Sequence, residues 1–196
     1  MPNFPSARPL TRALILTGLT FAVAACKGFT QIDAGLPNVT ATDTVYALNG
    51  GPPNSPNSIN FFQGLTDRAD QGFGFDVAFD IDKDGNAVIL PARVVATSFA
   101  NPTSIGLQRA TSSFELVTSA PRDGYRADTA MTVAVGQAVI VEVHDFNACF
   151  NSLKGQSYFT KIVIDEVNAA LRRLVFTVTV NRNCGFRSFS PGIPLD

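Results

Sequence analysis

The chain has no tryptophan, one histidine and three cysteines in 196 residues, and only 16% of its residues are charged. Each scarcity excludes something. A structural zinc site takes four His or Cys ligands. His144, Cys149 and Cys184 cannot supply four once Cys26 has another use. A hydrolytic triad needs its imidazole beside a nucleophile and an orienting acid, and no Gly-x-Ser-x-Gly elbow accompanies His144. Lys and Arg number 15 against 16 Asp and Glu, so no basic surplus points to nucleic acid. The aromatic content falls on Phe, which in strands is usually core. The apolar run Ala13–Ala25 is thirteen residues long, short of the roughly 20 that a spanning helix needs.

That run carries a different signal. Arg8 and Arg12 precede it, no acid does, and small residues close it, which is the pattern of a secretory signal peptide over 1–25. Val23-Ala24-Ala25-Cys26 resembles the lipobox of bacterial lipoproteins. The resemblance implies cleavage before Cys26, a diacylglyceryl group on its thiol and acylation of the new amine. Several acyl chains on one residue suffice for stable anchoring, because each buried CH₂ contributes about 0.8 kcal/mol. Lys27 stands where an Asp would favour retention in the inner membrane, so the outer membrane is the expected address, facing either the periplasm or the surface.

Residues 26–42 read as the lipidated end and a flexible tether; the sixteen from Lys27 to Thr42 reach about 50 Å at most. A single domain is expected over 43–196. Its interior alternates. Phe73, Phe75, Val77, Phe79 and Ile81 take one face, and Gly74, Asp76, Ala78 and Asp80 the other. Asp84-Gly85-Asn86 turns the chain, and Ala87–Thr97 continues as the partner strand. Shorter strands are expected at Ser104–Gln108, Ser113–Thr118 and Met131–Val135, then at Ala138–Val143, Tyr158–Val167 and Leu174–Val180. Val167, Ala170, Leu171 and Leu174 also fit a helical face, the weaker alternative in a stretch so rich in Val, Ile and Phe. About nine or ten short strands with polar turns predict an all-β antiparallel sandwich or partly open barrel.

With Cys26 on lipid, Cys149 and Cys184 remain as an even pair in an exported domain, where a disulfide is expected. If the last three strands form a meander, the first and third finish at the same end. Cys149 follows the first and Cys184 the third, so the two meet at one rim.

Asp80, Asp82 and Asp84, followed by Gly85 and Asn86, resemble the opening of a calcium loop. Pro91 occupies the position where the closing glutamate belongs, so solvated aspartates on a hairpin turn are the preferred reading and no metal is expected. Gly72-Phe73-Gly74 and Gly50-Gly51 lack phosphate-loop context. Arg172-Arg173 reads as a solvated hairpin tip.

Two segments, Phe75-Asp76-Val77-Ala78-Phe79 and Tyr158-Phe159-Thr160-Lys161-Ile162, resemble strands of HmuY-like all-β lipoproteins. The resemblance implies a β-fold in a lipid-anchored setting. Those proteins hold haem through two histidines. His144 is alone here, so haem is not implied and no cofactor is expected. The functional expectation is a membrane-anchored, non-enzymatic binding or scaffolding domain in the cell envelope, its partner an envelope protein or a small ligand. The alternatives are a small-ligand carrier with a pocket between sheets and, less favoured, a hydrolase.

Overall fold

The computed structural model describes residues 33–72, 74–96 and 103–195; the expected signal segment over 1–25, Cys26, Phe73 and Thr97 lie outside them. Eleven strands are present among the described residues: β1 (Val39–Tyr46), β2 (Ser58–Asn60), β3 (Leu65–Asp67), β4 (Val77–Ile81), β5 (Ala87–Pro91), β6 (Ser104–Arg109), β7 (Arg126–Ala127), β8 (Met131–Val133), β9 (Ala138–His144), β10 (Ser157–Asn168) and β11 (Arg173–Asn181). They form two antiparallel sheets, ordered β1-β11-β10-β9-β6-β7 and β3-β2-β4-β5-β8. The all-β sandwich expected from the alternation is therefore the fold.

The sheets pack because the inward positions are apolar on both. Val77, Phe79 and Ile81 of β4 and Ile89 of β5 meet Val139, Val141 and Val143 of β9 and Phe176 and Val178 of β11 in one buried cluster. Phe79 stacks on Phe176 across the gap, with ring centroids 4.8 Å apart; such a pair contributes about 0.5–1.5 kcal/mol beyond its buried area. The outer face of the six-stranded sheet is also covered. Phe114, Ala138, Ile140, Phe159, Val163 and Phe189 form a second buried cluster, closed by the segment after β6 and by the C-terminal tail.

The meander of β9, β10 and β11 pairs as expected, with Tyr158 opposite Val143 and Ile162 opposite Val178. β10 and β11 are joined by a tight turn, so the helical alternative around Val167–Leu174 does not hold. The extra residue of β10 at Asp165 is taken up by a bulge between Ile164 and Glu166.

Four boundaries depart from the sequence reading. β1 begins at Val39, pairing with Val180, so residues 39–42 are sheet rather than tether. The strand from Ala87 stops at Pro91 and continues as one turn of helix, α1 (Ala92–Val95). Ser113–Thr118 is not a strand but holds a 3₁₀ turn at Phe114–Leu116, which lays Phe114 onto the outer cluster. The alternation through Phe75 breaks at Asp76: Phe75 packs with Ala69, Ala78 and Ala92 on the outer side of β4, not with Val77 and Phe79.

Candidate functional site

Antiparallel register gathers four chain ends at one end of the sandwich. His144, at the end of β9, pairs with Ser157, at the start of β10. Asn181, at the end of β11, pairs with Phe159, and Val180 pairs with Val39 at the start of β1. The β9–β10 loop, the residues after β11 and the residues before β1 therefore share this rim.

Cys149 and Cys184 are bonded there, with Cα atoms 5.7 Å apart and a sequence separation of 35. The loop is built around that bond. Asp145 accepts hydrogen bonds from the backbone N–H groups of Asn147 (2.8 Å) and Ala148 (3.0 Å), and its own carbonyl accepts from Cys149 N. Ser152 Oγ donates to Cys184 O, and Gly185 N donates to Ser157 O. Gly155 and Gly185 let the loop and the tail approach closely: a Cβ on Gly185 would lie 2.7 Å from the Lys154 carbonyl carbon, and its φ is +83°. Lys154 Nζ sits 3.6 Å from the centre of the Phe186 ring.

On this pinned loop three apolar side chains face solvent. Phe146 and Phe150 meet edge to face with centroids 5.4 Å apart, yet they are 45% and 65% exposed, and Leu153 is 89% exposed. The residues entering β1 are fixed beside them: Gly35 N and Leu36 N both donate to Asn183 Oδ1 at 2.9 Å, and Asn183 Nδ2 returns a bond to Leu36 O.

Beneath the rim lies a buried polar pair that the alternation did not announce. Asp76 Oδ2 accepts from Phe61 N at 2.7 Å and from Tyr158 Oη at 2.9 Å. Both side chains are almost fully buried. Burial pushes the Asp76 carboxyl up to about 6, against the pull of its two donors. Burial first, and then the Asp76 charge, push the Tyr158 hydroxyl well above its ordinary value. A second buried ionisable group, Lys161, donates to Phe114 O (2.7 Å) and Val117 O (3.0 Å) and holds the 3₁₀ turn on the outer cluster; burial lowers its pKa.

The three aspartates of the calcium-like segment diverge. Asp80 takes Arg172 Nη2 at 2.7 Å and Asn49 Nδ2 at 2.5 Å. Asp82 accepts from the backbone N–H groups of Asp84 and Asn86 inside the turn, which holds it below its ordinary value. Asp84 pairs with Lys83. Among the described residues no three His, Cys, Asp or Glu side chains converge as a metal would require. Arg172 is thus not a free hairpin tip: it ties the β10–β11 turn to β4 of the opposite sheet, and its Nε and Nη2 also donate to Asn49 O.

His144 is exposed, with Nδ1 3.3 Å from Ser157 Oγ. Across β6, Ser104 Oγ donates instead to Asp128. Among the described residues no carboxylate hydrogen-bonds to the His144 ring, so the Ser–His contact lacks the third member of a triad.

Two of the clefts lined by described residues are small. One of about 220 Å³ lies between β1 and the β2–β3 turn, lined by Ile59, Phe61, Phe62, Val178 and Arg182. The other, about 230 Å³, lies beside the segment after β6. Sites that enclose drug-sized ligands run from about 300 to 1,000 Å³. Among the described residues no helix is long and apolar enough to cross a membrane.

No protein-family model, no curated protein and no solved structure matches this chain.

Proposed function

We propose that this chain is a lipid-anchored protein of the bacterial envelope, held through Cys26, whose β-sandwich binds or scaffolds a partner rather than catalysing a reaction. The observation that carries the binding role is the exposed Phe146–Phe150 pair on a loop pinned by Cys149–Cys184. A protein does not usually present paired aromatics to water on a loop it has rigidified, unless something covers them. Phe79, Phe176 and Tyr158, fully buried in one cluster between the sheets, support this over a carrier. The unsupported His144 ring supports it over a hydrolase. The disulfide fits an oxidising compartment. The outer membrane is the favoured address because Lys27, not Asp, follows Cys26.

Fractionation of a didermic bacterium producing the protein tests the anchor. The wild-type chain is expected in the outer-membrane fraction, and Cys26→Ala in the soluble fraction. Equal membrane recovery of both would overturn the lipid anchor. Crosslinking followed by mass spectrometry, with wild type and Phe146→Ser/Phe150→Ser compared, tests the rim. Identical partners and yields for the two would remove the rim from the binding role.

A further inference from the structure

The rim that carries the exposed aromatics is also the end at which the chain enters the sandwich. Gly35 and Leu36 are fixed to Asn183, next to Cys184, and Asn38 N bonds to Gly192 O. Of the exposed large apolar side chains among the described residues, Leu36, Phe146, Phe150, Leu153, Ile193 and Leu195 stand on the segments that end here, while Leu116, Val135 and Leu171 stand singly elsewhere. Residues 146–153 include no charged side chain. Asp145, just before them, has its carboxylate turned to the backbone N–H groups of Asn147 and Ala148.

The tether length selects the occupant. From Cys26 to Ala34 are eight residues, which span about 28 Å even when fully extended. β10 alone has 12 residues, roughly 40 Å of strand. A lipid on Cys26 therefore keeps this end, and not the β10–β11 turn at the other, close to the bilayer. We infer that the Phe146–Phe150–Leu153 loop docks into the interfacial layer of the membrane that anchors the chain, so that the sandwich stands on its disulfide-bonded rim. This rests on the lipid-anchor reading and names the bilayer itself as the partner of the rim. Three apolar side chains give a shallow, reversible contact that orients the domain while the lipid holds it.

The absence of tryptophan makes a clean test. Full-length protein is purified from producing bacteria, the mass at Cys26 is measured, and the protein is reconstituted into phosphatidylethanolamine–phosphatidylglycerol vesicles with and without brominated acyl chains. Phe150→Trp places a single fluorophore on the rim. Leu171→Trp places one in the exposed β10–β11 turn at the far end. The expected result is blue-shifted emission from the rim fluorophore, quenched at least twofold by the brominated chains, with the far-end fluorophore unaffected. If Cys26 carries acyl groups and the Phe150→Trp protein is no more quenched than the Leu171→Trp protein, the docking is wrong and the anchor stands. If Cys26 carries none, the anchor reading fails and the docking with it. A rim fluorophore shielded from aqueous acrylamide by a co-purifying protein, without quenching by brominated lipid, assigns the rim to that protein and also overturns the proposal.

Discussion

Tyr158 Oη donates a 2.9 Å hydrogen bond to Asp76 Oδ2 in the buried space under the disulfide-bonded rim. The contact joins opposite sheets across 82 residues of sequence. It also places a carboxyl group where its charged form is costly.

Stability should therefore fall as pH rises through the titration of Asp76. Its pKa is raised on folding, from 3.8 to about 6, so the folded state binds the extra proton. The contribution is fully present below about pH 4 and is lost as pH rises through about 6. The size is on the order of 3 kcal/mol. Asn reproduces the neutral acid and keeps an oxygen for Phe61 N and Tyr158 Oη. Urea melts of Asp76→Asn should lose the decline between about pH 4 and pH 6 that wild type shows. Parallel curves for the two proteins would contradict the assignment.

Removing the hydroxyl should matter most where the carboxylate is charged. Tyr158→Phe leaves the buried carboxylate with one donor fewer, which costs about 1–3 kcal/mol near neutral pH. The loss should shrink in acid, where Asp76 is protonated. A loss independent of pH would mean that packing, not the bond, is responsible.

The disulfide closes a 35-residue separation. Reduction, or Cys149→Ala/Cys184→Ala, should lower stability by about 3–4 kcal/mol through chain entropy. It should also release the Phe146–Phe150 loop to rapid hydrogen exchange while β10 and β11 keep their protection. Uniform loss of protection across the sandwich would show that the bond supports the whole core rather than the rim.

Gly185 should be far less replaceable than Gly85. Both have positive φ, but a Cβ on Gly85 meets nothing within 4 Å, while one on Gly185 runs into the Lys154 backbone. Gly85→Ala is expected to cost roughly 1 kcal/mol and Gly185→Ala two or three times that, read as a difference in melting temperature. Equal shifts would remove the steric argument.

Asp80 is already engaged by Arg172 and Asn49. Added calcium should leave the melting temperature unchanged. Asp80→Asn should lower stability by about 1 kcal/mol, the scale of a partly exposed ion pair. A calcium-dependent rise in wild type that Asp80→Asn abolishes would contradict this.

What was legible in the sequence followed from local pattern. The apolar, β-branched runs Ala138–Val143 and Leu174–Val180, with Tyr158–Val167 between them and turn residues separating all three, specify a meander. The meander in turn brings Cys149 and Cys184 to one end, where the structure bonds them. What was not legible depends on partners remote in sequence. Asp76 sits on the polar side of an alternating stretch and reads as solvated; only Phe61 and Tyr158 make its burial tolerable. Lys161 reads as an ordinary strand lysine, and its acceptors come from a turn 44 and 47 residues upstream. Arg172 reads as a free tip until β4 presents Asp80. The rim left one signal that could have been used: Phe146, Phe150 and Leu153 flank a cysteine among Asn and Ser, outside any strand, where the core reading of Phe does not apply.

The lipid anchor is tested most directly by the intact mass of the chain recovered from bacterial membranes. The expected species begins at Cys26 and carries the diacylglyceryl group, with Cys149 and Cys184 joined. A chain that retains the residues before Cys26, or that begins elsewhere without lipid, would contradict it.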